Sequence, residues 1–319
     1  MELRKIDQEE LNRIVENHQH WLNEDCNGWE KMKANLNYAD LRNANLRDTN
    51  LSHADLRNAN LRGADLRHVD LSHANLSNTN LRDGNLYCAD LNCADLSFAN
   101  LREANLYCAD LSCADLKEAN LHYADLNCTD LTYANLISAN LRNANLRRVD
   151  LRYADLICAD LTYANLIHAN LSYVNLREAS LREANLSYAD LSCADLRGAD
   201  LREVNYNHLT SFLSLQCPEK GAFIGYKKSG DKIVELRIEE DSKRSSATSR
   251  KCRASKVTVL NITSIDGTEE FQKSENTGEY SFAYEVGKTY EIDNFDEDRW
   301  NECSTGIHFF ITRDEAVRY

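Results

Sequence analysis

The sequence is poor in the residues that usually mark domain boundaries, export and membrane insertion. Of its 319 residues only Pro218 is a proline, so boundaries must be inferred from changes of pattern. No apolar run approaches the roughly twenty residues of a membrane-spanning helix, and charged residues follow Met1 where a signal peptide is apolar. These absences predict a cytoplasmic protein that does not enter a membrane.

Positive charge is also in deficit, since the formal net charge is −14. Proteins that bind nucleic acid directly present a basic surface, so we expect no direct nucleic-acid partner. An acidic surface favours a protein partner with a basic face. Cysteine is plentiful, but an odd number, eleven, without an export signal predicts reduced thiols rather than disulfides.

The dominant feature that is present is a leucine at every fifth residue from Leu36 to Leu201. The unit is Ala-Asp/Asn-Leu-x-x, and its period matches neither an α-helix nor a flat strand. In an extended segment the alanine and the leucine point inward, and an odd period requires a corner in every unit. Asp or Asn before the leucine suits that corner, because its side chain bonds nearby backbone.

Residues twenty apart share chemistry, which sets the number of units in one coil. A spacing of twenty aligns arginines and cysteines, whereas spacings of fifteen or twenty-five scramble them. Four units per coil predict a square parallel β-helix of nearly nine coils over 34–206, about 40 Å long at ~4.8 Å between strands. The aligned columns include Arg42, Arg62, Arg82 and Arg102, then Cys88, Cys108 and Cys128, then His53, His73, Cys93, Cys113, Tyr133, Tyr153 and Tyr173.

The units Ala34-Asn35-Leu36 and Ala39-Asp40-Leu41, repeated over more than half of the chain, resemble the pentapeptide-repeat family. That resemblance implies a mainly β fold, the right-handed quadrilateral β-helix. Some members of the family protect DNA gyrase from quinolones and are thought to imitate duplex DNA in shape and charge. Two features of those members, a C-terminal dimerisation helix and a loop that interrupts the coils, are not evident in this sequence.

The N-terminal flank, residues 1–33, predicts a helix that caps the open end of the solenoid. Asp7 with Glu10 forms a capping-box pattern, and apolar residues recur at helical spacing. An uncapped solenoid end exposes unpaired backbone, which gives such a helix something to cover. The stripe comprises Leu11, Ile14, Val15, Trp21 and Leu22.

The C-terminal flank differs in composition from the repeat. Residues 207–219, which include Phe212, are expected to be a linker or C-terminal cap, and 220–319 a small β-rich (α+β) domain. The segments RSSATSRKCRASK and NECSTGIHFF resemble an uncharacterised domain appended to phage and bacterial pentapeptide proteins, which implies a boundary but no activity. The predicted strands are 222–226, 232–238, 256–262, 280–284 and 307–312, followed by a short helix at 313–319.

One face of the solenoid carries most of its negative charge. The net charge is −5 on this face and −3 on the next, against 0 and +1 on the other two. An aromatic stripe beside an acidic ladder suits protein docking. The alternative is that the aspartates only bond corner backbone and the stacked rings only stabilise the coils. This candidate partner-binding surface, the acidic edge, comprises Asp70, Asp90, Asp110, Asp130 and Asp150 with Tyr133, Tyr153 and Tyr173.

The arginine and cysteine columns have simpler interpretations. Seven arginines meet seven carboxylates on the arginine face, which predicts a self-compensated surface rather than a phosphate-binding strip. Stacked cysteines run parallel, unlike the converging ligands of zinc, and lie farther apart than disulfides prefer. We therefore predict neither a metal site nor a disulfide in these columns.

The C-terminal domain contains a basic segment, with six basic residues and no acidic residue between 243 and 256. Guanidinium groups and nearby hydroxyls could hold an anion, although such runs are usually paired internally, here with acidic residues between 293 and 302. Cys252, Cys303 and His308 could form a nucleophile–base pair if the fold joins them. The candidate anion-binding residues are Arg244, Arg250, Lys251 and Arg253.

These features predict a non-enzymatic protein-interaction or scaffold protein without a catalytic residue, cofactor or metal. The acidic edge is expected to dock a protein partner, and the C-terminal domain to supply specificity. One alternative is a DNA mimic that modulates a DNA-binding enzyme such as a topoisomerase. Another is a nucleotide-binding, phosphate-binding or enzymatic C-terminal module carried on the rod. The oligomeric state is left open by the sequence.

Overall fold

The computed structural model describes residues 3–211, 213, 215–274, 283–301 and 304–319. The chain divides into two compact units, Met1–Ser211 and Phe212–Tyr319, and each is described by itself below. Across the described part of the chain, no helix has the length and apolar character needed to cross a membrane.

The first unit begins with strand β1 (Arg4–Lys5) and helix α1 (Gln8–Asn23), before a 3-10 turn at Trp29–Lys31. Asp7 caps α1, because its side chain accepts the Glu10 amide at 2.8 Å. The helix is shorter than the predicted 1–33, for two reasons. A strand precedes it, and Glu24 adopts a left-handed conformation (φ 54°) that ends it.

The side chains of α1 bond the open backbone edge of the first coil. Gln8 exchanges two hydrogen bonds with the main chain of Asn45, at 3.0 Å each, and Gln19 donates to the carbonyl of Asn50 at 3.2 Å. Strand β1 pairs in parallel with β2 (Ala39–Asp40) on the same coil. Main-chain groups that would pair with a preceding coil therefore find partners in the N-terminal segment.

Beyond the first coil the backbone pairs in parallel with a constant offset of twenty residues. Each Asp or Asn that precedes a leucine bridges the equivalent residue twenty positions later, for example Asn35 with Asp55. The leucine amides donate to the next coil, as from Leu36 to the Asp55 carbonyl at 2.7 Å. The leucines between Leu36 and Leu196 are at most 2% exposed. The predicted β-solenoid with a leucine interior is confirmed.

The corner of each unit lies at the second residue after the leucine. That residue has a positive φ in nearly every unit, for example 58° at Ser138, and the following alanine amide donates to the leucine carbonyl three residues back. β-Branched residues tolerate this conformation least. None occurs at the positive-φ corners of the solenoid that the structure describes, whereas Thr132, Ile137 and Thr162 occupy the position before the corner.

Substitution at Ser138, an exposed corner residue, tests this backbone requirement. We expect Ser138→Val to lower the free energy of unfolding by about 1–2 kcal/mol, because a β-branched side chain clashes with the backbone in the left-handed conformation. Ser138→Gly should raise the free energy of unfolding by about 0.5 kcal/mol, because glycine has no Cβ atom to clash in this conformation. Urea unfolding of the two variants measures both effects. Ser187→Val, at the position before a corner, is the control and should cost less; equal losses for the two valine variants would contradict the assignment.

The second unit is built mainly from antiparallel sheets. One sheet has the strand order β10-β7-β4-β3, and a smaller one has the order β11-β6-β5. A third pairs β8 with β9, and helix α2 (Arg313–Arg318) follows the last strand. The strands are β3 (Phe223–Ser229), β4 (Lys232–Ile238), β5 (Arg244–Ser246), β6 (Cys252–Ala254), β7 (Lys256–Ser264), β8 (Lys273–Ser274), β9 (Tyr284–Glu285), β10 (Thr289–Glu291) and β11 (Ile307–Phe309).

The longest strands of this unit are those that the sequence pattern predicts. β4 has the predicted bounds, and β3 and β7 each extend beyond their predictions at the C-terminal end. The pattern misses β5, β6, β8 and β10, which have two or three residues each and too short a run to show alternation. Phe212 and the first three residues of the predicted strand 280–284 lie outside the described residues.

A separate hydrophobic core holds the second unit together. Val234 and Leu236 of β4, Val257 of β7 and Phe309 of β11 are completely buried in it. The space beside Phe309 explains Gly225 of β3, since a Cβ there would lie 2.6 Å from the Phe309 ring. The unit therefore has an interior of its own, which a region of this size can support.

Candidate functional site

The aspartates of the acidic edge form one continuous column. Parallel bridges join Asp70 to Asp90, Asp90 to Asp110, Asp110 to Asp130 and Asp130 to Asp150. The spacing is therefore that of adjacent strands, roughly 4.8 Å. Each carboxylate accepts the amide hydrogen of the second residue after it, at 2.9–3.2 Å. The corner-bonding role considered from the sequence is thus present in all five.

The arginine face, two units away along the coil, performs the same corner role with neutral side chains. Its column runs Asn60, Asn80, Asn100, Asn120 and Asn140. Those side chains accept the same amide hydrogen, at 3.1–3.3 Å. Their amide groups also donate along the column, at 3.1–3.3 Å. An ionised aspartate has no hydrogen to donate, so the acidic column lacks these ladder bonds.

Most aspartates of the column also lack the arginine partner that several other aspartates of the solenoid have. Asp55 and Asp150 each bind the arginine two residues later, at 2.6 and 2.7 Å. A hydrogen bond of this kind, from Arg202, lowers the pKa of Asp200 to about 2. Within the described residues, the other four aspartates of the acidic edge form no ion pair; they are Asp70, Asp90, Asp110 and Asp130.

The tyrosines of the acidic edge stack on one another, and they share their coils with the last two aspartates of the column, Asp130 and Asp150. The ring centroids of Tyr133 and Tyr153 lie 5.0 Å apart, as do those of Tyr153 and Tyr173, with interplanar angles of 8° and 14°. The three side chains are still 62%, 46% and 53% exposed. His53 and His73 stack at 4.8 Å in the same column. The structure therefore brings all eight predicted residues to one face, where the aromatic stack overlaps the C-terminal end of the acidic column.

The arginine face is largely neutralised by its own carboxylates. Arg62 and Arg82 both lie close to Asp83, with their nearest nitrogens 3.3 and 3.5 Å from its carboxylate, and Arg102 pairs with Glu103 at 3.0 Å. These are exposed ion pairs that contribute little stability individually. They leave this face without the surplus positive charge that a phosphate-binding strip would need.

The basic segment of the second unit is occupied by internal contacts. Arg244 donates to the main-chain carbonyls of Gly221 and Glu239, both at 2.8 Å. Arg250 binds the Glu315 carboxylate at 2.6 Å, and Lys251 lies over the Tyr319 ring at 5.5 Å. Anion binding at these residues would require such contacts to be displaced, so it stays a prediction.

Arg253 is the most enclosed of the four candidate anion-binding residues, at 2% exposure. Its guanidinium donates to three carbonyl oxygens, those of Asp296 at 3.1 Å, Asp298 at 2.8 Å and Thr305 at 2.8 Å. The guanidinium also lies 5.3 Å from the centre of the Phe295 ring. These main-chain contacts hold two segments of the second unit together. The pairing with acidic side chains that the sequence suggested is present between Lys243 and Glu297.

The structure separates Cys252 from His308. The register pairs Phe309 with Cys252 and His308 with Arg253, and successive side chains of a strand point to opposite faces. The neighbouring Cys217 and burial raise the pKa of the Cys252 thiol, and burial lowers the pKa of His308 to about 4. Cys303 lies outside the described residues. The hypothesis of a Cys252–His308 nucleophile–base pair is wrong, because the two side chains lie on opposite faces.

His18 is a residue of structural importance that the sequence pattern did not identify. It is completely buried, with Nε2 2.9 Å from the Ser52 carbonyl and Nδ1 accepting the Ala34 amide at 3.1 Å. Burial lowers its pKa. Its position was detectable, because His18 continues the helical stripe of Leu11 and Ile14 at the expected spacing.

These observations define a protein class: a parallel β-solenoid of five-residue units with a separate β-rich unit. A family model for pentapeptide repeats matches 33–63, 59–95, 94–132, 129–163 and 164–203. The chain belongs to the pentapeptide-repeat family. Residues 213–316 match a second model, described as a family of unknown function (DUF5758).

Solved structures of other pentapeptide-repeat proteins resemble parts of this chain. HetL, involved in heterocyst differentiation regulation in the cyanobacterium Nostoc sp. strain PCC 7120, is 40% identical over 54% of this chain and 81% of its own, with a TM-score of 0.37. QnrB1, a plasmid-mediated fluoroquinolone resistance protein, is 18% identical over 55% and 89%, with a TM-score of 0.35. A protein from the Arabidopsis thaliana thylakoid lumen is 31% identical over 32% and 68%, with a TM-score of 0.26. No curated protein matches the chain significantly.

Proposed function

We propose that this protein is a non-enzymatic interaction scaffold whose acidic edge docks the basic surface of a protein partner. The scaffold is a four-sided rod of nearly nine coils. The offset of twenty residues, with one corner in every five, supports that shape. A rigid, regular rod holds charged groups at fixed spacing, which favours recognition of a partner with complementary charge.

The observation that carries this proposal is that the column contains aspartate at corner positions where asparagine would support the fold at least as well. Both residues bond the corner amide, but asparagine adds a ladder bond, whereas neighbouring aspartates repel by on the order of 1 kcal/mol in water before screening by salt. Asp70, Asp90, Asp110 and Asp130 therefore cost the solenoid stability relative to asparagine. A charge that the fold does not need is available to a partner.

The tyrosine stack supports the same conclusion. Tyrosine is enriched at protein interfaces, because it buries a large ring and keeps a polar hydroxyl. The stack also holds the three rings in one orientation before a partner arrives, which reduces the entropy cost of binding. We assign partner selection to the second unit, which is a compact unit with its own core.

A quadruple variant tests the role of the acidic edge. In Asp70→Asn/Asp90→Asn/Asp110→Asn/Asp130→Asn the corner bonds survive and ladder bonds become available, so the melting temperature should stay the same or rise. Partner binding, measured by surface plasmon resonance with proteins captured by the wild-type full chain, should weaken at least about tenfold, since several charge pairs are lost.

The matched control carries the same change in charge away from the acidic edge. It is Asp55→Asn/Asp65→Asn/Asp195→Asn/Asp200→Asn, in which each aspartate already pairs with an arginine. This control should bind the partner within about twofold of wild type, because paired carboxylates offer little to a partner. Equal binding by the edge variant and the wild type would sink the proposal.

A second candidate function is DNA mimicry toward a topoisomerase such as DNA gyrase. The regular run of five stacked carboxylates favours it locally, although duplex DNA carries a charge every ~1.7 Å. Under this candidate the full chain should compete with DNA for gyrase, and the quadruple edge variant should not. Binding to a basic protein partner without competition with DNA would agree with the scaffold function and contradict DNA mimicry.

A further inference from the structure

The turn that follows α1 brings three metal-ligating side chains together at the solvent-exposed end of the helix. The Nδ1 or Nε2 atom of His20, a carboxylate oxygen of Asp25 and the Sγ atom of Cys26 all lie within 4.8 Å of one another. His20 is in the last turn of α1, and the left-handed Glu24 reverses the chain so that the two later residues face it. The convergence is thus produced by the way the helix ends.

This turn is held on both sides, by the solenoid on the helix side and by the following 3-10 turn on the other. On the helix side, His18 is buried and bonded to Ser52 and Ala34. On the other side, the Cys26 thiol lies 3.7 Å from the Met32 sulfur, and the Met32 amide donates to the Trp29 carbonyl at 2.8 Å. A cluster held from both sides is better preorganised for a ligand than one on a free loop.

The donor set selects the kind of ion. An imidazole nitrogen, a thiolate and a carboxylate oxygen are the three ligand types that zinc takes in proteins. Magnesium and calcium prefer all-oxygen sites, and copper(I) prefers sulfur without carboxylate. Three protein ligands leave one tetrahedral position for water or for a partner's side chain.

The distances require only a small adjustment to bind such an ion. Tetrahedral zinc with these ligands separates the ligand atoms by about 3.3–3.6 Å. At present the His20 Nδ1 atom lies 2.7 Å from Asp25 Oδ1, and the two side chains are 42% and 45% exposed. These two atoms can therefore separate by about 0.6 Å, while the thiol moves closer by at most about 1.2 Å.

An ordinary surface ion pair would explain why His20 and Asp25 lie together. It would not explain why the Cys26 thiol lies beside them. We propose that His20, Asp25 and Cys26 bind one zinc-class divalent cation, which ties the end of α1 to the turn after it. Binding releases the thiol proton, and the His20–Asp25 hydrogen bond is replaced by two bonds to the ion. The N-terminal cap is then stabilised by mass action when the ion is present.

Cobalt(II) titration of the reduced full chain tests this site, because a thiolate bound to tetrahedral cobalt gives an intense near-ultraviolet charge-transfer band. We expect one equivalent to bind, zinc to displace it, and Cys26→Ser to abolish the band. Asp25→Asn, a change at an exposed residue, should weaken zinc binding at least about tenfold while the far-ultraviolet circular dichroism stays unchanged.

The matched control is Cys113→Ser, because the stacked thiols Cys93 and Cys113 are the rival place for a soft metal. The proposal requires this control to keep both the band and the stoichiometry. If the band survives in Cys26→Ser, whether or not it disappears in Cys113→Ser, or if cobalt and zinc at millimolar concentration do not bind, the assignment is overturned. Zinc should also raise the melting temperature of the wild type and not that of Cys26→Ser.

Discussion

Replacing Arg253 with leucine is expected to lower the free energy of unfolding of the second unit by about 3–5 kcal/mol, because removing one partner of a buried charged network leaves the others unpaired. The guanidinium satisfies three main-chain carbonyls, and its loss leaves those oxygens without that donor in a region closed to water. Arg253→Lys should recover only part of the loss, because one ammonium group lacks the planar fork that reaches three carbonyls.

Hydrogen exchange measured by mass spectrometry on the full chain locates this effect. Peptides that contain β6 and β11 should lose protection in Arg253→Leu, while those of the solenoid should not change. Arg250→Leu is the matched control, three residues away in sequence. Its side chain is exposed and pairs with Glu315, so the cost should stay below about 1 kcal/mol. Similar losses for the two variants would contradict the stabilising role assigned to the buried contacts of Arg253.

The sequence could predict the repeat because its signal is redundant. One leucine in five, repeated from Leu36 to Leu201, specifies the interior, and columns at a spacing of twenty specify the coil offset that the bridges reproduce. Strand β4 was predictable for a similar reason, because its last five residues, 234–238, alternate between apolar and charged. A pattern with many repetitions survives local exceptions such as Tyr206, which is 53% exposed at a leucine site.

The role of Arg253 could not be predicted in the same way. A run of basic residues between 243 and 256 resembles an exposed anion site, and only the pairing of β6 with β11 places Arg253 among carbonyls from Asp296 to Thr305. Those partners lie more than forty residues away in sequence. Complementary charges did indicate the pairing of these segments, as between Lys243 and Glu297. Main-chain acceptors leave no trace in the identity of the residues that supply them, so the carbonyls that Arg253 binds could not be predicted.

The acidic edge is an intermediate case. The sequence identified its residues and their spacing, but it could not decide between corner bonding and docking. The structure shows the corner bonding alone: the corner oxygen of Asp110 is used, and the oxygen of Asn100 makes the same bond on another face. The docking role stays a proposal. The comparison of two faces of one molecule, rather than either face alone, turns the choice of aspartate into an argument about function.

Replacing His18 is expected to destabilise the N-terminal cap by about 3 kcal/mol in His18→Ala, because it leaves a cavity and unpairs two buried main-chain groups. The Ala34 amide loses its acceptor and the Ser52 carbonyl loses its donor, in a region that the His18 ring fills completely. The ring also stacks on Trp21 at 5.2 Å. Hydrogen exchange in α1 and the first coil should accelerate in this variant, while exchange in the second unit should not.

The same residue should make the cap sensitive to acid. The Ala34 amide points a hydrogen at Nδ1, so folded His18 is held neutral, and burial lowers its pKa below the unfolded value near 6.5. Lys33 and His53 act in the same direction, and Asp70 opposes them. As pH falls below about 6.5 the unfolded chain takes up a proton that the folded cap does not, so stability decreases, by up to ~1.4 kcal/mol per pH unit.

Above that pH the residue is neutral in both states and should contribute no pH dependence. Burial and the neighbouring His73 also lower the pKa of His53, so its contribution has the same sign and must be separated. To isolate His18, the free energies of unfolding of His53→Asn and of His18→Gln/His53→Asn are measured between pH 5 and 8, and their difference is taken at each pH. That difference should shrink steadily below pH 6.5, because neutral glutamine takes up no proton in either state; a difference that is constant across the range would mean that His18 is protonated equally in the folded and unfolded chains.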